Sequence, residues 1–238
     1  MEYQGEDLLI VAGAPGSRWS GAIRMLSLLC RDINLSDNKN DFVYRKKVNG
    51  EVVGWHRGAY WGPDNPVGHK FDLLQYLTKE EIVEEFKAPF TNWDHGTKII
   101  KSHWFSYHIP LLKELFPKAT IWAFHDTPEE CVKWWKHVGG WDIDYPMYTW
   151  YENDEKMLQQ VKIECAEIEK HFKLKRYLGW KETAIALGFT HNIRTIEEII
   201  EVDPEFSELH QYDTEEVFDA FLDRIFTRKE MGIIIPTV

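Results

Sequence analysis

The 238-residue chain is poor in cysteine, short of basic residues and without long apolar runs. Its three cysteines, Cys30, Cys131 and Cys165, are odd in number and widely spaced in apolar or helical contexts, which argues against a disulfide framework or a zinc site and predicts reduced thiols. Twenty-eight Lys and Arg against 39 Asp and Glu leave a net charge of −11. Neither duplex nucleic acid nor an anionic membrane suits such a surface as a whole, and an anionic ligand needs a local cationic pocket. No apolar run approaches the roughly 20 residues of a membrane span, and the opening MEYQGEDLL lacks the basic and apolar segments of a signal peptide, so a soluble, cytoplasmic protein is expected. Aromatics are plentiful at 14%, with 11 Trp, and some are expected to line a pocket. The length fits one α/β domain over residues 1–238.

The chain is organised around Leu8 to Cys30, where an apolar run, a turn of small residues and an amphipathic segment follow without a gap. Leu8 to Ala12 predicts a parallel strand covered on both faces, and Ala22, Ile23, Met25, Leu26 and Leu29 recur at helical spacing. Between them GAPGSRWS supplies a tight loop whose outward N–H groups meet the positive end of a helix dipole, a ready site for phosphate or sulfate. A Mg-ATP loop would need Gly-Lys-Ser/Thr. Here Gly16 is followed by Ser17, Arg18, Trp19 and Ser20, with no Lys before the hydroxyl. A Gly-rich β–α turn that binds nothing is the bland alternative.

Further along, FVYRKKV, Asn49-Gly50 and EVVGWH predict a hairpin, and RGAYWGPDNPVGHK a surface loop. Thr78 to Glu81 reads as a capping box opening a helix through about Phe86. Thr97 to His103 reads as a second core strand ending in basic residues, Ile109 to Phe116 as a helix and Ala119 to Phe124 as a third strand. A helix opening at Thr127-Pro128 ends at Gly139-Gly140, and Trp141 to Tyr151 is an aromatic loop. A long amphipathic helix follows over Asp154 to Lys173, with shorter ones at Thr195 to Glu201 and Thr214 to Phe226.

Four segments, in this order, resemble those of sulfotransferases. The first is GAPGSRWS, similar to the family's 5′-phosphosulfate loop in Pro15, Ser17 and Ser20, although Gly16 stands where the family has a basic residue and Arg18 comes two positions later. The second is Lys101-Ser102-His103 with Pro110-Leu111-Leu112, similar to the family's Lys-Thr-His-Leu-Pro strand end and Leu-Leu helix. The third is KATIWAFHDTPEECVKWWKH, similar to the strand-loop-helix that grips the nucleotide 3′-phosphate, with His125 and Lys133 in place of the family's Arg and Ser. The fourth is Phe226 to Gly232, similar to the family's closing segment, with Arg228 and Lys229 as the basic pair.

The resemblance implies an α/β, P-loop-like three-layer fold of sulfotransferase type, with a central parallel sheet flanked by helices. It implies 3′-phosphoadenosine 5′-phosphosulfate (PAPS) as donor, 3′,5′-bisphosphoadenosine (PAP) as product, no metal, and a hydroxyl acceptor. In that reading His103 is the general base, with Lys101 and Arg18 facing the sulfuryl charge. Pro15, Gly16, Ser17, Arg18, Trp19 and Ser20 hold the donor, Trp19 by stacking on adenine. His125, Lys133, Phe226, Arg228 and Lys229 complete the nucleotide site. The chemistry fits these residue types: an imidazole titrating near ~6.5 suits proton abstraction, and a fixed cation suits charge developing on a transferred group. Trp55, Tyr60, Trp61, Trp104, Tyr107, Tyr145, Tyr148 and Trp150 could form a flat pocket for a small phenol, ahead of a sugar ring. A kinase on a related fold, a nucleotide-binding module without chemistry and a structural protein stay open as alternatives.

Overall fold

A computed structural model of the chain describes residues 3–37, 47–48, 51–52, 57–62, 71–137, 152–172, 175–176, 180–189, 192–202 and 230–234. Strand β1 (Leu8–Gly13) is buried along its whole length, as its unbroken apolar run requires. It lies between two parallel neighbours, β5 (Lys98–Ser102) and β6 (Thr120–His125). The short strand β4 (Ala59–Tyr60) extends the parallel set beyond β5. On the other side β8 (Glu230–Ile234) runs antiparallel to β6, and β7 (Lys175–Arg176) closes that flank, giving the order β4-β5-β1-β6-β8-β7. A separate hairpin pairs β2 (Lys47–Val48) with β3 (Glu51–Val52) across the Asn49-Gly50 position, as the sequence predicts. The loop expected over 57–70 in fact begins by adding strand β4 to the sheet.

The period of two along each strand assigns the two faces of the sheet. Leu9, Val11, Ile99, Trp122 and Phe124 point to one side, against α1 (Trp19–Leu29), α6 (Trp180–Ala186) and α7 (Ile196–Val202). Leu8, Ile10, Ala12, Ile100, Ile121 and Ala123 point to the other, against α2 (Lys79–Lys87), α3 (Ile109–Leu115) and Ile168 of α5 (Asp154–His171). The result is an α/β architecture in three layers, with a four-stranded parallel sheet at its centre. Helix α4 (Pro128–His137) packs with α5 through Cys131, Trp135, Met157, Val161 and Cys165, a third cluster that also takes in Ala14 from the loop after β1.

Local chemistry fixes several element ends. The capping box of α2 is present, with Glu81 N donating to the Thr78 hydroxyl and Thr78 N to the Glu81 carboxylate. The far end of α1 is capped by Arg194, whose Nη1 donates to the carbonyls of Ser27, Leu28 and Cys30 at 3.1, 2.9 and 3.0 Å. Ile163 of α5 is exposed, because it lies opposite the face carrying Val161 and Cys165. All three cysteines are free and buried.

Candidate functional site

Three adjacent parallel strands end side by side at Gly13, Ser102 and His125, and the segments that leave them meet at the carboxyl edge of the sheet, where open α/β folds take their ligands. The segment after β1 is a type II turn. Pro15 occupies its second position, Gly16 its third with φ 75°, and Ser17 N donates to Ala14 O at 3.1 Å. Ala14 N in turn donates to Phe124 O at 3.1 Å, tying the turn to β6. Helix α1 then starts from Arg18, held at φ 61° with no side-chain cap, so its first-turn amides carry no helical acceptor.

Gly16 explains why no basic residue stands there. A Cβ at this position would lie 1.9 Å from the carbonyl oxygen of Cys131, inside the backbone of α4. The turn is pressed onto that helix, and only glycine permits both the approach and the positive φ. Gly13 allows a second close approach, since a Cβ on it would lie 2.6 Å from the Trp19 ring and 3.3 Å from Ser17 Oγ. That serine hydroxyl is buried and has no hydrogen-bond partner among the described residues. A buried orphan hydroxyl beside a helix start fits an anion oxygen as its missing partner.

His103 arrives from the end of β5 and is only 5% exposed. Its Nδ1 meets the carbonyl oxygen of Gly13. A carbonyl can only accept, so Nδ1 carries the proton and the neutral ring keeps its lone pair on Nε2. The ring is boxed by aromatics: Trp19 stacks on it at 4.4 Å between centroids, with Tyr60 and Trp135 edge-on at 6.1 and 5.9 Å. Burial pushes its pKa down to about 3; the Gly13 carbonyl opposes this and the Lys101 ammonium adds to it. Lys101, 1% exposed, donates from Nζ to the Arg57 carbonyl at 2.8 Å and stands 6.0 Å from the Trp19 ring centroid.

On the β6 side, His125 is buried, with Nδ1 3.2 Å from Asp126 O and Nε2 3.5 Å from the Glu169 carboxylate. Arg18 reaches across from α1 to pair with Asp126 at 2.5 Å and lies 5.4 Å from the centroid of Trp134. The structure therefore brings Pro15, Gly16, Ser17, Arg18, Trp19, Ser20, Lys101, His103 and His125 to one edge.

Three expected residues are placed differently from the sequence reading. Lys133 is 74% exposed and pairs with Glu130 at 3.1 Å on the outer face of α4, because it is Cys131 and Trp135, at helical spacing on the inner face, that meet the turn. Trp19 is 6% exposed, and in this conformation the face it offers is taken by His103 and not open to an adenine. Trp61, expected in an aromatic pocket, is core, packed against Phe86 and Phe105. Phe226, Arg228 and Lys229 lie outside the described residues, as do Trp55, Tyr145, Tyr148 and Trp150; the chain enters the sheet at Glu230, opposite His125.

Asp126 and Trp135 also belong to the edge, and sequence reasoning passed over them in these roles; Tyr60, expected in an aromatic pocket, stands edge-on to His103. Asp126 had a readable signal, an acid directly after a strand and before the capping Thr127 of α4. Tyr60 is carried to this place by the pairing of β4 with β5. Among the described residues no group of three His, Cys, Asp or Glu side chains is placed to hold a metal ion, and no helix is long and apolar enough to cross a membrane. Compared with protein-family models, with curated proteins and with solved structures, the chain finds no match.

Proposed function

We propose that this is a sulfotransferase of P-loop-like type, moving the sulfuryl group of PAPS to a hydroxyl of a small acceptor, a phenol ahead of a sugar. The observation that carries the reading is the bond from His103 to the Gly13 carbonyl. It fixes a neutral imidazole with an accepting Nε2 directly beside the turn from which α1 begins. In this mechanism the acceptor hydroxyl gives its proton to Nε2 as its oxygen bonds to sulfur. The bond from sulfur to the 5′-phosphate oxygen breaks, and PAP leaves with that electron pair. The first-turn amides of α1 and the Ser17 and Ser20 hydroxyls take the 5′-phosphate. Lys101 and Arg18 offset charge on the transferred group, so that positioning and electrostatics supply the rate. His125, with Arg228 and Lys229 from the resemblance, takes the 3′-phosphate, and no step calls on a metal.

A second reading is favoured by the stack of Trp19 on His103 and by an imidazole whose basicity burial has lowered so far: a module that binds the nucleotide and does no chemistry. Titration calorimetry with PAP in EDTA, against ATP with Mg²⁺, tests the site. Binding of PAP alone supports both readings, and turnover of PAPS with a phenol panel then separates them. Binding of ATP alone moves the protein to the kinases, and binding of neither removes the nucleotide site.

A further inference from the structure

We infer that Asp126 is an internal stand-in for the ligand's oxyanion, a competing carboxylate that any bound phosphate or phosphosulfate must displace from Arg18. The inference rests on the anion site proposed above and adds a residue that sets its affinity. Asp126 follows β6 and precedes α4. Its Oδ2 accepts from Arg18 Nη2 at 2.5 Å, and its Oδ1 accepts from Thr127 N at 2.8 Å. A guanidinium and a backbone amide beside a helix start are the donors that a phosphate or sulfate oxygen takes in proteins. Here a carboxylate of the chain holds both.

The rest of Asp126 is pinned as well. Its carbonyl oxygen faces His125 Nδ1 at 3.2 Å and accepts from the Cys165 thiol at 3.6 Å. Two of the cationic or cation-forming groups assigned to the ligand, Arg18 and His125, thus both rest on this one residue. The Arg18 and Asp126 side chains are 23% and 19% exposed, so an incoming anion can reach the pair and exchange with it. Asp126 touches no ligand itself and acts through Arg18, as a positioning residue that holds the guanidinium in place when no ligand is bound and weakens binding by the strength of the pair that must break.

The test is titration of the full chain with three probes: PAP, inorganic sulfate and uncharged adenosine. Asp126→Asn should tighten PAP and sulfate by about fivefold, the equivalent of a partly exposed ion pair, and leave adenosine unchanged. Asp126→Glu should bind like the wild type. In an Arg18→Gln background the Asp126→Asn gain should vanish, because the two residues are coupled. Thermal melts check that each variant folds. Equal or weaker anion binding by Asp126→Asn, or a gain that persists without Arg18, overturns the inference. Sulfate behaving as expected while PAP does not bind would leave the inference standing and end the nucleotide reading; no binding of either anion by the wild type or by Asp126→Asn would end both.

Discussion

Strand β5 carries two buried lysines, three residues apart and both 1% exposed, and they are satisfied in different ways. Lys98, at the amino end, pairs with the Asp7 carboxylate, which also accepts from the Tyr3 hydroxyl, and it lies 4.9 Å from the centroid of Trp93. Lys101, at the carboxyl end, donates to the neutral carbonyl of Arg57. A buried ammonium matched by a carboxylate belongs to the architecture, since its charge is already answered. Lys101 stands instead at the other strand end, beside His103 and 6.0 Å from the centroid of Trp19, at the edge proposed for the anion. The two ends of one strand thus set one lysine in the architecture and the other at the edge of the candidate site.

The largest expected effect falls on the carboxyl edge. Gly16→Ala must leave the positive φ and drive α4 away, and should cost on the order of 3 kcal/mol or more in chemical denaturation. Unchanged stability would mean that the turn is not seated on α4. Next, Lys101→Met should reduce turnover by on the order of 100-fold, while Lys98→Met leaves turnover intact; equal losses would erase the distinction between the two ends. At the amino end, Asp7→Asn strands the Lys98 ammonium and should cost about 1–3 kcal/mol, read as a lowered denaturation midpoint with PAP affinity unaltered.

A pH series sharpens the contrast further. The folded pKa of His103 lies near 3, below its unfolded value, so the unfolded chain binds more protons between the two. This group's share of stability is complete above pH ~6.5 and falls as the pH drops toward 3, by up to about 1.4 kcal/mol per pH unit. His103→Gln should flatten that slope, and the rate of the intact protein should show no ascending limb near 6.5. The smallest effect belongs to Lys133→Ala, within about 0.5 kcal/mol and without effect on PAP binding.

Much of this was legible because local chemistry agreed with the tertiary outcome. The unbroken run Leu8 to Ala12 specified a doubly covered strand, the Thr78 box specified a helix start, and Pro15-Gly16 specified a tight turn. The site was legible to the extent that it lies where strands end, which placed Lys101, His103 and His125 together. What could not be read depends on contacts between distant segments. The seating of Gly16 on Cys131 decides that the turn takes no basic side chain. The stack of Trp19 on His103 needs β1 and β5 in register, and the outward direction of Lys133 follows only once the inner face of α4 is known.

The antiparallel strand β8 also sets a timetable. Residues 120–125 of β6 leave a ribosome about a hundred residues before Glu230 to Ile234 can pair with them, a gap of roughly 5–20 s at ordinary rates of elongation. For that interval the edge of β6 beside His125 presents unpaired amides and carbonyls, the surface on which nascent chains stick to one another. A protein built this way has the carboxyl edge of its parallel strands assembled early and its seam closed late, so it should gain more than most from a chaperone that holds the chain until the final strand arrives.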